Sequence, residues 1–443
     1  MIVMKFGGSS VESAEAIERV SRIVRRYADR QPIVVVSAMG KTTNRLLECA
    51  RLAADGAREE ALSKLGDLRD FHVREAGAWD VLDAHFAELQ ELLRGLAILG
   101  ELTPRSLDAV ASFGERLSSL IVARALSAEH LSAEHLDSRE VIVTDDRFTQ
   151  ANPLYAETYR RLSQRSWAPL TVMGGFIGAT AQGVTSTLGR GGSDFTASLV
   201  GAGVGAEEIQ IWTDVDGMLT ADPTVMPGGL RVRSMSFAEA AELAYFGAKV
   251  LHPSTVLPAI ERNIPVLILN SRRPEVEGTR ITAQGPKTRN AAKSLAAKKN
   301  VTVVNIQSTR MLMAHGFLYR IFEIFNRYET PVDMLATSEV SVSLTIDDTR
   351  QLPRIADELR AFSEVEIEQE NAIVCIVGDN IRWQAGVAHR VFRALDTINV
   401  RMISQGASLR NISVVIAMRD LRAATERLHA EFFTEADPEV FAA

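Results

Sequence analysis

Three glycine-rich segments hold the residues best able to do chemistry in this chain of 443 residues. The first is Lys5-Phe6-Gly7-Gly8-Ser9-Ser10, at the exit of an apolar run. Its glycines allow a ligand to approach the backbone and offer N–H groups to phosphate oxygens, while the lysine adds a point charge for a phosphoryl group. The same residues would also suit a plain strand-to-helix turn with a surface lysine. The second is Gly189-Arg190-Gly191-Gly192-Ser193-Asp194, which opens an apolar helical stretch. A helix N-terminus preceded by glycines attracts anions. Arg190 can grip a carboxylate with two hydrogen bonds, and Asp194 can accept from an ammonium group. Arginine and aspartate flanking a glycine pair suit an amino acid zwitterion; simple helix capping is the alternative. The third is Trp212-Thr213-Asp214-Val215-Asp216-Gly217, at the end of an apolar strand. Ligands bind beyond such strand ends in open α/β sheets, so a nucleotide base or ribose fits there, as does a bare Asp-Gly turn.

Two other phosphate-like patterns fail in context. Gly40-Lys41-Thr42 resembles the end of a P-loop, but the earlier glycine that loop needs is Val35. Gly201-x-Gly203-x-x-Ala206 follows a helix and precedes a strand, the reverse of a dinucleotide fingerprint.

The elements that must carry these segments follow from apolar periodicity. Strands are expected at 2–6, 33–37, 140–144, 169–173, 208–213 and 265–269. Helices are expected at 12–28, through most of 44–128, and at 193–203, 237–247 and 254–263. Continuous apolar strands alternating with helices imply a mostly parallel sheet in a three-layer α/β/α sandwich. The stretch 271–299 loses periodicity, which places a boundary near 285–298. Beyond it Gly316, Arg320 and Phe322 recur as Gly386, Arg390 and Phe392 within a doubled β-α-β-β pattern. Two ferredoxin-like βαββαβ units are the expectation. The expected domains are therefore 1–285, a linker at 286–298, and two repeats at 299–370 and 371–443.

Composition narrows the function. Hydrophobic residues are 46% and charged residues 24%, which permits a large soluble core. The net charge of −7 argues against nucleic acid or an anionic membrane as the main partner. Two distant cysteines suit small buried hydrophobes and a reducing cytoplasm. The first residues read as a strand rather than a signal peptide, and no run of about 18 apolar residues occurs.

In their order, the segments KFGGSSV (5–11), VVVSAMGKTTN (34–44), FGERLSS (113–119), GGFIG (174–178), TSTLGRGGSDFTA (185–197), WTDVDG (212–217) and FGAKVLHP (246–253) resemble the aspartate kinases, within the amino acid kinase fold. The paired repeats resemble their ACT regulatory domains. No homoserine dehydrogenase segment follows, so the monofunctional form is expected. The resemblance implies an ATP-dependent enzyme that phosphorylates the side-chain carboxylate of L-aspartate, feeding lysine, threonine and methionine synthesis. It assigns Lys5, with Gly7, Gly8 and Ser9, to the transferring phosphoryl group. Ser37 and Thr43 line the substrate cleft, Glu115 and Asp194 face the substrate ammonium, and Arg190 binds the α-carboxylate with Phe176, Gly191, Gly192 and Ser193 nearby. Thr213, Asp214, Leu219, Lys249 and Val250 contact ATP. Mg²⁺ is expected on the nucleotide phosphates without a dedicated protein metal site, and His252 is expected to be structural.

Departures from the family pattern fall around Asp216, Leu219 and Thr224, and Asp216 adds negative charge that would suit a metal. For the repeats, the resemblance to lysine-sensitive members implies an L-lysine effector site at Met311, Gly316, Phe317, Leu318, Val332, Asp333, Ser338 and Glu339. It also implies a homodimer or dimer of dimers through the ACT units. The rival readings are another carboxylate or nucleotide kinase of this fold and a non-catalytic amino-acid sensor.

Overall fold

The computed structural model describes residues 1–77, 79–247, 253–308 and 315–442. The first half of the chain runs through β1 (Ile2–Phe6), α1 (Ala14–Arg25), β2 (Pro32–Val36), α2 (Thr42–Ala54), α3 (Arg58–Ala76), α4 (Asp80–Leu99), α5 (Pro104–Ala111) and α6 (Phe113–Ala128). It continues through β3 (Glu134–Leu136), β4 (Val143–Thr144), α7 (Tyr155–Gln164), β5 (Thr171–Gly174), β6 (Ile177–Thr180), β7 (Thr185–Thr187), α8 (Gly192–Val204) and β8 (Ile209–Thr213). Then come β9 (Arg231–Val232), β10 (Ser234–Ser236), α9 (Phe237–Tyr245), α10 (Leu257–Glu261), β11 (Val266–Asn270) and β12 (Thr279–Thr282). The remainder is β13 (Ser294–Gln307), α11 (Phe317–Arg327), β14 (Leu335–Thr337), β15 (Ser341–Ile346), α12 (Leu352–Arg360), β16 (Glu364–Val377), α13 (Val387–Ala394), β17 (Val400–Gln405), β18 (Asn411–Ala417), α14 (Leu421–Phe433) and β19 (Phe441–Ala442).

Two compact units result, 1–218 with 250–284, and 219–249 with 285–443. The grouping differs from a single boundary at 285, because residues 219–249 pack with the C-terminal residues. In that unit Leu295 N–H bonds to the Thr220 carbonyl, and Lys293 meets Glu239 at 2.9 Å in a buried ion pair.

In the first unit the strands lie in the order β12-β11-β8-β1-β2-β5-β3, parallel except for β12. Alternation along β1 and β2 sends Ile2, Met4, Phe6, Val34 and Val36 into a core shared with α1 to α6. Lys5 therefore faces the opposite side of the sheet, where α8 packs on β1. The helices form for ordinary reasons. In α1, Ser13 caps the first turn by accepting from Ala16 N–H, and Arg22 and Arg25 close the last turn.

The second unit holds one six-stranded sheet, β14-β15-β13-β16-β18-β17. Residues 302–307 of β13 pair with β15, and 303–307 with 364–368 of β16, giving the sheet of the first repeat. The second repeat departs from a contiguous unit at 371–443. Its strands are β17, β18 and residues 371–377 of β16, and the fourth comes from residues 294–298, which were expected as linker. The first repeat is thus inserted into the second. After α14 the chain leaves this sheet and β19 pairs with β9.

Helix α8 can approach β5 only because Gly175 lacks a side chain: a Cβ there would lie 2.6–2.7 Å from Ser193 atoms, its Cα included. Gly175→Ala should lower stability by about 1–3 kcal/mol through this overlap. Urea unfolding would show an earlier midpoint at unchanged slope; an unchanged midpoint would mean that α8 does not rest on β5 as described.

Candidate active site

The C-terminal ends of β1, β2, β5 and β8 are joined by backbone hydrogen bonds just beyond the strands. Gly7 N–H donates to the Trp212 carbonyl, Ser37 N–H to Phe6 and Gly175 N–H to Val36, at 3.1, 3.0 and 2.8 Å. Chain connections run from β1 to β2 on one side while β8 flanks the other, so a crevice opens at this end of the sheet.

A cavity of about 290 Å³ occupies that end. Lys5, Ser37, Thr43, Glu115, Phe176, Gly189, Gly191, Gly192, Ser193 and Asp194 line it. Nine of these ten were expected at the site; Gly189 belongs to the motif but was not assigned. Lys5 Nζ lies 2.7 Å from Asp194 Oδ1, with 11% and 16% of the two side chains exposed. The contact is a partly buried ion pair. Asp194 stands in the first turn of α8, behind Gly191 at φ 72°. That left-handed turn is open to glycine and strained for most residues.

Glu115, in the first turn of α6, is buried. Its Oε1 accepts from Ala38 N–H at 3.1 Å, and among the described residues Oε2 has no hydrogen-bond partner. Burial pushes its carboxyl up to about 8, against smaller opposing effects from the Ala38 N–H, its own backbone and the nearby Lys5 charge. Phe176 turns the chain between β5 and β6 at φ 63°. Its N–H donates to Thr196 Oγ1 and its carbonyl accepts from Leu188 N–H, so it is fixed from both sides. Arg190 is exposed and, among the described residues, makes no ion pair.

Other expected residues fare differently. The Gly7 N–H is taken by Trp212, so the glycine pair offers ligands at most the Gly8 N–H, while Ser9 continues the turn after it. Thr213 and Asp214 follow Trp212, which registers with Phe6, so they stand beside the lysine segment. Asp216 is not free for a metal: its oxygens accept from Asn270 Nδ2 and Arg273 Nη1, both at 2.7 Å. Among the described residues no group of three or more histidine, cysteine or acidic side chains is arranged to hold a metal. Leu219 belongs to the second unit, where it bridges to Arg231. Lys249, Val250, His252 and Met311 lie outside the described residues.

Of the effector set, Gly316 caps α11 at φ 79°, Phe317 and Leu318 open that helix, Val332 precedes Asp333, and Ser338 and Glu339 are exposed in the β14–β15 turn. Asp333 was expected to meet a ligand's ammonium group. Here its Oδ1 is held by Lys298 Nζ at 2.6 Å, which also meets Asp347 at 2.8 Å. The sequence reading also missed Asp108, a buried carboxylate of α5 that holds Thr187 and Thr149.

Residues 1–270 match the amino acid kinase family and residues 374–432 an ACT domain. "Aspartokinase 3, chloroplastic" of Arabidopsis thaliana is 40% identical over 456 residues, covering 97% of this chain and 81% of that protein. "Lysine-sensitive aspartokinase 3" of Escherichia coli (strain K12) is 36% identical over 452 residues, covering 98% and 99%. The solved structure of E. coli aspartokinase III with aspartate and ADP (R-state) superposes with a TM-score of 0.82 at 34% identity, covering 98% of this chain and 100% of that one. Its complex with lysine and aspartate (T-state) gives 0.81 at 35%, covering 98% and 99%. No described helix is long and apolar enough to cross a membrane.

The Glu115 carboxyl predicts a pH effect of definite sign. Its folded value of about 8 exceeds the ordinary 4.5, so between them the folded protein holds a proton that the unfolded chain has lost. Stability therefore falls as pH rises through that window, by about 1.4 kcal/mol per unit from this group. Glu115→Gln should flatten the slope by that amount in urea unfolding measured from pH 5.5 to 8. Parallel curves for the two proteins would show that Glu115 titrates normally.

Proposed function

The chain belongs to the aspartokinase family, and from that premise we infer that its first unit moves the γ-phosphoryl group of ATP onto the side-chain carboxylate of L-aspartate. The observation that carries this reading is the meeting of Lys5, Asp194 and Glu115 in one cavity at the strand ends.

The attacking carboxylate of aspartate is ionised near neutral pH, so the reaction needs no general base. Charge in the transition state spreads over the equatorial phosphoryl oxygens, and positioning with electrostatic stabilisation carries the rate. Lys5 supplies the positive charge at the phosphoryl group. That charge is paired with Asp194. When substrate enters, Asp194 turns to the ammonium and Lys5 to the phosphoryl oxygens. Glu115 has, among the described residues, an unpartnered oxygen at the same cavity, which in the protonated carboxyl can still accept from the ammonium. Arg190 takes the α-carboxylate, and the first turn of α8 adds N–H groups beneath it. Thr213 and Asp214 flank the nucleotide. Mg²⁺ would ride on the phosphates and neutralise their charge; Lys5 on Asp194, and Arg273 and Asn270 on Asp216, suit a site where protein carboxylates are not the main ligands.

The second unit is the sensing region, and lysine is its effector. The relative named as lysine-sensitive and the complex with lysine support this. Lysine would enter near Gly316 and Glu339 and compete with Lys298 for Asp333. The exposed Tyr319 and Phe322 on α11 support a partner surface for a homodimer.

An ATP-dependent aspartyl hydroxamate assay tests the reaction; no hydroxamate with aspartate would remove the reading. Lys5→Ala should lower kcat about a thousandfold while changing aspartate KM little. Turnover near wild type would remove Lys5 from the phosphoryl site. In the same assay millimolar lysine should inhibit, and undiminished turnover would end the effector claim.

A further inference from the structure

The chain that leads to Arg190 is held by a residue outside the cavity lining. Asp108 in α5 is 1% exposed. Its Oδ2 accepts from Thr187 N–H and from Thr149 N–H, both at 2.9 Å, and its Oδ1 from Thr187 Oγ1 at 2.6 Å. Among the described residues it has no ion-pair partner, so three neutral donors carry a buried charge. Burying a carboxylate without a cation is costly. A helix that needed only packing at this position would do better with an apolar residue.

The held segment is the one that presents Arg190. Thr187 ends β7 three positions before it. Thr149 sits at φ 73°, an uncommon backbone state for threonine. Its carbonyl lies 3.2 Å from where a Cβ of Gly189 would stand, so the chain at 149 runs close beside the loop at 189. Ala151 N–H bonds to the Thr187 carbonyl at 2.9 Å, and Gly192 N–H to Gly189 at 3.0 Å. The loop is thus fixed on both sides of Arg190, and one of its two anchors is Asp108.

We propose that Asp108 is a positioning residue for recognition of the substrate's α-carboxylate: by holding Thr187 and Thr149 it sets the loop from which Arg190 reaches the cavity. This rests on the aspartate kinase reading given above. Loss of the anchor weakens aspartate binding and leaves the nucleotide side alone, because Thr213 and Asp214 come from a different strand end.

The test uses the full chain, with aspartate and ATP varied separately in the hydroxamate assay. Wild type is measured first: failure there removes the kinase reading, not this proposal. Asp108→Ala orphans two backbone N–H groups and should raise aspartate KM about tenfold or more, with ATP KM changed less than about twofold. Asp108→Asn should bring aspartate KM back to within about threefold of wild type, since an amide oxygen can accept both N–H groups and the amide nitrogen can donate to Thr187 Oγ1. A folded Asp108→Ala whose two KM values rise together, or do not rise, overturns the proposal. Should that variant not fold, Thr187→Val decides: aspartate KM is expected to rise about threefold with ATP KM unchanged, and an unchanged aspartate KM overturns it.

Discussion

The ion pair between Lys5 and Asp194 is the contact on which the site depends, and strand alternation puts it there. In β1 the residues at 2, 4 and 6 are buried against the helical layer, which leaves position 5 on the face that α8 covers. A charge in the middle of a buried strand is tolerable only if it reaches the strand end and finds a partner. Asp194 is that partner. The pair keeps two opposite charges near the places where a zwitterion and a phosphate would need them. Neither charge has to be newly buried when ligands arrive.

The cavity walls meet closely because side chains are missing where elements cross. A Cβ on Gly114 would lie 2.8 Å from Ala38 Cβ, and one on Gly192 would lie 2.7 Å from the Phe176 ring. These contacts bring α6 and α8 down onto the ends of β2 and β5. Glu115 and Asp194 follow directly on those helices, so their carboxylates converge from opposite faces of the sheet. Burial at this crossing is also what lifts the Glu115 carboxyl. Close packing and perturbed acidity have one cause here.

The residues at the strand exits were legible in the sequence because apolar runs and glycines mark both the strands and their ends. The runs IVMKF and IVVVS read as buried strands and the GRGGSD segment as the opening of a helix; β1, β2 and α8 lie within a residue of those readings. The hairpin of β6 and β7 was invisible, since IGAT and TST are too short and too small to show alternation. Asp108 was invisible for another reason: an aspartate in an amphipathic helix normally reads as solvent-facing, and its burial is set by contacts 41 and 79 residues along the chain. Residues 294–298 read as linker because SLAAK has no period of its own. They become strand by pairing with residues 373–377.

That last pairing changes what the C-terminal repeats are. Each of β13 and β16 runs 14 residues and serves both repeats, one half apiece. Two βαββαβ units joined end to end could move independently. Two units that share the same two strands are coupled through them, although the β13–β16 register shifts at Lys298/Val301 and Val301/Val303, where the halves meet. Helix α9 is tied to the same body: Glu239 pairs with Lys293 just before β13, and Glu242 accepts from Ser408 and Asn411 at 2.5 Å. The six strands form one sheet to which this helix is attached, an arrangement that the doubled sequence pattern alone would not have required.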